Sequence, residues 1–366
     1  MTPFPIPDPL GYPVPAAFLQ GLSYLTLTLH LLAMSFTLGG LALLLWARVR
    51  RAPGHDAAAR FLGTSLPLGF SYLVTLGIPP LLFVQVLYGQ AFYSSSVVMG
   101  VFWILVIPLL ITAYGLLYFH KLTRERRPRV QGIALLAAFA AMLTIGFIYV
   151  NNLTLSMAPD RWMALYAAHP GGAALNLGEP TLVPRYLAFM MPALAVAGLG
   201  LVLAGAVSSR TGRREAGDGM RRYGVKAHLL GRALTAGAAA ALLLALPGHV
   251  RAIVLGGGTP TALAIAAIAL ALLATILALA AARRGSPRLA IAAAVAMALE
   301  LGGLVALRDR VRLELLREHF RLSDVPTHEQ WGMFALFAAT LVVGLAFLFV
   351  VTRAVAKNLI TKESIE

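Results

Sequence analysis

His30 is the residue of this chain best placed to do chemistry. It lies well inside the first long apolar run, where an ionisable ring is costly unless it faces a bundle interior, a water-filled path or a cofactor. Ser23, Thr26, His30, Met34 and Thr37 recur at three- and four-residue steps, so they share one face of a Leu-rich helix. A polar stripe of that kind points inward. A neutral imidazole there can ligate haem iron, or it can be a buried histidine hydrogen-bonded to a neighbouring helix. The residues alone leave both readings open. Met34, Met99, Met157, Met190 and Met191 are conceivable second ligands, although methionine in an apolar helix ordinarily serves packing. His249, between Pro247 and Arg251, is the second candidate among the histidines. His55, His120 and His228 accompany basic loops and are expected to be solvated, while His169, His319 and His328 fall in the opposite loops.

Glu300 is a carboxylate inside an apolar run, and such a group must pair, protonate or face water. Proton transfer, a quinone hydrogen bond and a salt bridge to Arg308 are the alternatives. Arg161, Trp162, Arg185 and Arg308 suit the flank of a quinone headgroup or of haem propionates, since guanidinium pairs well with carboxylate. Charge anchors and an aromatic belt at a membrane surface account for them equally.

These residues need helices to hold them. The chain is 59% hydrophobic and 12% charged, with mean hydropathy +0.80, a composition that belongs in a bilayer. Its apolar runs are about 20 residues or longer, without the ten-residue alternation of a barrel, so an all-α integral membrane protein is expected. Nine spans fall near 17–47, 61–88, 97–120, 131–155, 184–208, 229–255, 259–282, 288–307 and 331–354. They form one bundle over residues 1–366, with no separate soluble domain. Cysteine is absent, so disulfides, iron–sulfur clusters and covalently attached c-type haem are excluded within this chain.

The net charge of +15 would point to nucleic acid in a soluble protein, but here the arginines fall in short loops as topology signals. The sets around Arg48, Arg50, Arg51 and Arg60, around Lys121, Arg124, Arg126, Arg127 and Arg129, from Arg210 to Arg232, around Arg283, Arg284 and Arg288, and at Arg353 and Lys357 alternate with spans. They place the N-terminus outside and the C-terminus in the cytoplasm, which nine spans allow. Met1 to Pro15 is rich in proline and lacks a basic stretch, a poor match to a signal peptide. Residues 156–183 form a long outer loop. Residues 308–330 are expected to be an outer amphipathic extension with Val311, Leu315 and Phe320 lying on the membrane surface. Pro79, Pro80 and Pro108 are expected to interrupt spans two and three.

The run Thr26-Leu-Thr-Leu-His30, followed by Thr37-Leu38-Gly39, resembles the first helix of subunit I of cytochrome bd quinol oxidases, where a threonine precedes a haem-ligating histidine by four residues and Thr-Leu-Gly follows it. Phe61 to Gly100, with Gly69-Phe70, Gly77, Tyr88-Gly89 and Tyr93-Ser94-Ser95-Ser96, is similar to that subunit's second helix and following loop. The resemblance implies a b-type haem on His30, a quinone as redox partner, and a place in a respiratory complex with other membrane subunits. A periplasmic c-type cytochrome would be a further partner and the bacterial inner membrane the location. The chain departs from the family in lacking carboxylates in span three, in having no histidine at Pro184 to Phe189, and in reducing the quinol-binding loop to Gly256-Gly257-Gly258-Thr259-Pro260. Electron transfer is therefore expected rather than oxygen reduction. The competing expectation is a haem-free anchor, structural subunit or transporter.

Overall fold

The computed structural model describes residues 5, 10–50, 55–123 and 128–362. Arg51, Arg124, Arg126, Arg127 and the side chain of Lys357, counted above among the basic residues, lie outside what it describes. Thirteen α-helices follow one another among the described residues: α1 Ala16–Val49, α2 His55–Leu87, α3 Gly89–Val98, α4 Gly100–Leu122, α5 Pro128–Ser156, α6 Trp162–Ala168, α7 Leu182–Met190, α8 Pro192–Arg210, α9 Arg214–Ala245, α10 Gly248–Leu255, α11 Gly258–Arg284, α12 Pro287–Leu315 and α13 Trp331–Lys362. Nine helical stretches are long and apolar enough to cross a membrane, α7 and α8 together making one of them. The all-α reading and the span count hold.

Three features depart from the sequence reading. The sixth span, expected at 229–255, runs from Arg214 to Ala245 and stops before Pro247. Its first half is charged, so hydropathy does not register a helix there, yet that half packs on α8. Second, α2 continues through Pro67, Pro79 and Pro80, and α4 through Pro108. Neighbouring helices and local adjustments tolerate the missing donors in a membrane bundle. Third, within 308–330 the helix α12 ends at Leu315, and Val311 and Phe320, expected on the membrane surface, are buried. Phe320 packs with Tyr12, Leu87, Tyr88 and Leu316. Apolar burial outcompetes surface adsorption because the N-terminal segment supplies the other half of a small core. Tyr12 N–H donates to Pro326 O at 2.8 Å, and His328 N–H returns a bond to Tyr12 O at 2.8 Å.

The main core joins α1, α2, α4, α5, α8 and α9 around Leu41, Leu62, Phe70, Leu117, Leu135 and Leu201. The α8–α9 seam is tighter than side chains would permit. Glycines repeat every seven residues on both helices, at 198 and 205 on α8 and at 217, 224 and 231 on α9. A Cβ added at Gly224 would lie 2.5 Å from Gly198 O, and one at Gly205 2.6 Å from Gly217 O. Backbones in direct contact are a packing solution of membrane helices, where close approach replaces the hydrophobic drive available in water. Helix α13, by contrast, contributes no buried residue to its span and meets the bundle through edge contacts such as Phe83 on Phe337 at 5.6 Å between ring centroids.

Candidate functional site

His30 projects from α1 onto α2. Its Nδ1 lies 3.0 Å from Leu73 O, and a Cβ at Gly77 would come within 3.0 Å of the ring, so glycine at that position makes the close approach possible. A carbonyl only accepts, so the neutral ring carries its proton on Nδ1 and its lone pair on Nε2. No hydrogen bond to Nε2 exists among the described residues. One ring nitrogen is thus fixed by a backbone carbonyl on α2, and the other makes no hydrogen bond among the described residues. Met34 lies one turn along the same face of α1 and packs against the main core. As an i, i+4 neighbour on one helix, Met34 lies beside the His30 ring rather than across from it.

His228 provides the contrast. Expected to be solvated, it is wholly buried, as is His120 nearly so. Its Nδ1 lies 2.9 Å from Ala195 O, while Nε2 lies 3.4 Å from Thr275 Oγ1 and accepts from Arg232 Nε at 3.5 Å. Both nitrogens are occupied. The cause of the misreading is the shift of span six: residues assigned to a loop belong to a helix packed against α8 and α11.

The same shift decides Glu300. Arg232 Nη1 donates to both its carboxylate oxygens, at 2.6 and 2.7 Å, and both side chains are largely buried. The salt bridge foreseen for Glu300 thus exists, but with Arg232 on α9 rather than Arg308. Both carboxylate oxygens are thereby committed to one guanidinium, which gives Glu300 a structural partner across the α9–α12 contact.

Arg308 belongs to a second polar group, at the end of the bundle expected to face outward. Arg185 on α7 and Arg308 and Arg312 on α12 lie close enough to repel one another, with Glu179 near Arg185 and Asp309 near the other two. Asp309 is already well supplied, accepting from Gln20 Nε2 at 3.0 Å, Tyr24 OH at 2.8 Å and Tyr88 OH at 2.7 Å. Burial, reinforced by the negative charge of Asp309, raises the Tyr88 hydroxyl well above its ordinary pKa and keeps it a donor. Arg312 sits 4.4 Å over the Tyr88 ring. With Arg161, which pairs with Glu179, four guanidiniums share two carboxylates, so positive charge is in excess. The Nε atoms of Arg185, Arg308 and Arg312 are all buried without a partner among the described residues. A cavity of about 100 Å³ opens beside Arg185, lined also by Thr154, Glu179, Thr181 and Leu315.

The structure therefore brings Arg185 and Arg308 together and keeps Glu300 apart from them. His249, on α10 beyond the end of the sixth span, is exposed. Arg161 pairs with Glu179 at 3.8 Å, and Trp162 is fixed by Nε1–H donating to Leu155 O at 2.8 Å. Sequence reasoning missed Arg232, Asp309, Arg312, Tyr24 and Tyr88. The Asp309 to Arg312 spacing and the His228 to Arg232 spacing were signals that these residues share helix faces.

A bundle of nine membrane-length helices with ion pairs sealed in its interior defines a polytopic integral membrane protein, with a histidine and a buried arginine cluster as its candidate cofactor groups. No protein-family model matches the sequence, and no curated protein matches it either. Among solved structures, a chain of the bd oxidase from Geobacillus thermodenitrificans shares the fold with a TM-score of 0.66 at 12% identity, over 93% of this chain and 98% of that one. The resemblance read in the first helices thus extends, as a likeness of fold, through the whole bundle.

Proposed function

We propose that the chain is a membrane subunit of a respiratory electron-transfer complex, holding a b-type haem on His30, linked to a membrane quinone and not itself reducing oxygen. The observation that carries the reading is the His30 ring, anchored through Nδ1 on Leu73 O with Nε2 unpartnered among the described residues. The arginine cluster supports it. Tyr24, which donates to Asp309 in that cluster, precedes His30 by six residues, a rise of about 9 Å along α1. Carboxylate side arms of a macrocycle held by His30 would find Arg185, Arg308 and Arg312 there, with the partners their Nε atoms lack.

In this reading the haem supplies one-electron chemistry when bound, while the protein positions it. Leu73 O fixes the imidazole, Gly77 leaves space for it, and the buried arginines neutralise charge. Helix α4 carries no Asp or Glu from Gly100 to Leu122, which favours electron passage over the proton-consuming reduction of oxygen. The complex would lie in a bacterial inner membrane with its N-terminus outside, alongside other membrane subunits and with a periplasmic c-type cytochrome or similar protein as electron partner. His249 and Met34 are not assigned as axial ligands, and Glu300 is assigned a structural role.

A pyridine haemochrome assay on pure protein, with its Soret band followed on reduction, tests the reading. His30→Ala should abolish the band or shift it markedly; an unchanged spectrum would remove His30 as ligand. The second reading, a haem-free anchor or transporter, is favoured by the closed hydrogen bonding of His228 and would follow from native protein containing no haem.

A further inference from the structure

The long segment between α5 and α7 does more than link two spans. With α3 and the turn after α12 it encloses a pocket of about 430 Å³. That volume lies in the range of sites for small organic ligands. Its walls include the rings of Tyr93, Trp162 and Tyr166 together with Met163. One edge is polar: His319 Nε2 stands 3.4 Å from Asp160 Oδ2. Val97 lines the pocket and is itself 62% exposed, so the pocket is open on that side.

The pocket is joined to the arginine cluster by direct contacts. Phe320 follows His319 and packs edge-on against Tyr88, with 6.0 Å between centroids. Tyr88 in turn donates to Asp309 and lies under Arg312.

The geometry points to this pocket as the binding site for the headgroup of a lipid-soluble quinol, its hydroxyl donating to the Asp160 carboxylate and its ring lying against Tyr93 and Trp162. Aromatic walls favour a flat aromatic ligand through offset and edge-on packing. A largely exposed carboxylate offers an acceptor that a phenolic hydroxyl can reach, and His319 holds that carboxylate at the pocket edge. The tail would leave past Val97. The assignment rests on the quinone-linked reading above and moves the quinone site away from both Glu300 and Arg308.

Full-length protein in detergent, titrated anaerobically by equilibrium dialysis with decylubiquinol and with menaquinol-4 kept reduced by dithionite, tests it. Asp160→Asn and Tyr93→Ala, both at exposed side chains, should each weaken binding about tenfold, the worth of one charge-assisted hydrogen bond or aromatic contact. Glu300→Gln should bind as the native protein does, and thermal melts establish that each variant is folded. If native protein and both pocket variants bind alike, the pocket is wrong while the quinone-linked reading stands. If native protein binds neither quinol, that reading fails and the pocket with it. Loss confined to Glu300→Gln would overturn the assignment, as would complete displacement of quinol by excess phosphatidylglycerol or phosphatidylethanolamine, which would mark a lipid seat.

Discussion

Replacing Arg232 by methionine should be among the most damaging single changes in this protein. The substitution keeps an unbranched side chain in α9 but leaves the Glu300 carboxylate without the group that donates to both its oxygens at 2.6 and 2.7 Å. Breaking a buried pair from one side costs about 3–5 kcal/mol, and an unpaired charge near the centre of a membrane helix about 2.5–3.5 kcal/mol, so the two scales converge on about 3 kcal/mol. Glu300→Gln is milder, because the amide oxygen still accepts from Arg232; a loss of about 1–2 kcal/mol is expected there. Joint replacement by Arg232→Met and Glu300→Leu removes both charges and should recover most of the stability lost by Arg232→Met alone. The assay is reversible unfolding in mixed micelles at fixed pH, comparing the native protein with the two single variants and the double variant. The reasoning is refuted if Arg232→Met costs under about 1 kcal/mol, since the carboxylate would then have solvent or another partner. A double variant no better than Arg232→Met would refute it as well.

The α8–α9 seam gives a paired prediction: Gly224→Ala, aimed at Gly198 O, should destabilise by about 1–3 kcal/mol through overpacking. Gly237→Ala on the same helix, with nothing within 4 Å of the added methyl, should be neutral or stabilising by up to about 1 kcal/mol in the same unfolding assay. Alkaline titration probes Tyr88. Its folded pKa is raised from an ordinary value of 10.0, so its contribution is full below pH 10 and is lost as pH rises toward the folded value. Tyr88→Phe should therefore lose less stability than the native protein above pH 10, and parallel decline of the two would exclude Tyr88 as the source.

The spans were legible because hydrocarbon imposes length and composition on every helix that crosses it. Eight of the nine expected spans fall within a few residues of the helices they correspond to, allowing for ends that run on past the hydrocarbon. The sixth failed for a physical reason. Residues 214–228 are helical because glycines at 217 and 224 seat them on α8, and hydropathy is blind to a helix stabilised by backbone contact. That error carried His228 and Arg232 into a loop. The seven-residue glycine repeat was nevertheless visible in the sequence and would have signalled a close helix pair. The inward turn of His30 was legible from depth and stripe, and its ring meets Leu73 O on α2. Arg232 and Glu300 are separated by 68 residues, so their pairing required the fold. Asp309 and Arg312 were read as members of a surface helix, because a run of mixed charge looks solvated until Gln20, Tyr24 and Tyr88 close over it.

The partnership of α9 with α12 also sets a problem of timing during synthesis. Arg232 leaves the ribosome 68 residues before Glu300, an interval of about 3–14 seconds at 5–20 residues per second. Throughout that interval α9 must be lodged in or beside the membrane with a guanidinium that its final neighbour cannot yet neutralise. Helix α8 is already made, and its glycines accept α9 before any charge is matched. A seam formed at that stage would hold α9 in place until α12 is made. Weakening it should release α9 to the translocation machinery or to proteolysis before α12 arrives, so seam variants should lower the yield of inserted protein more than their effect on the finished fold would indicate.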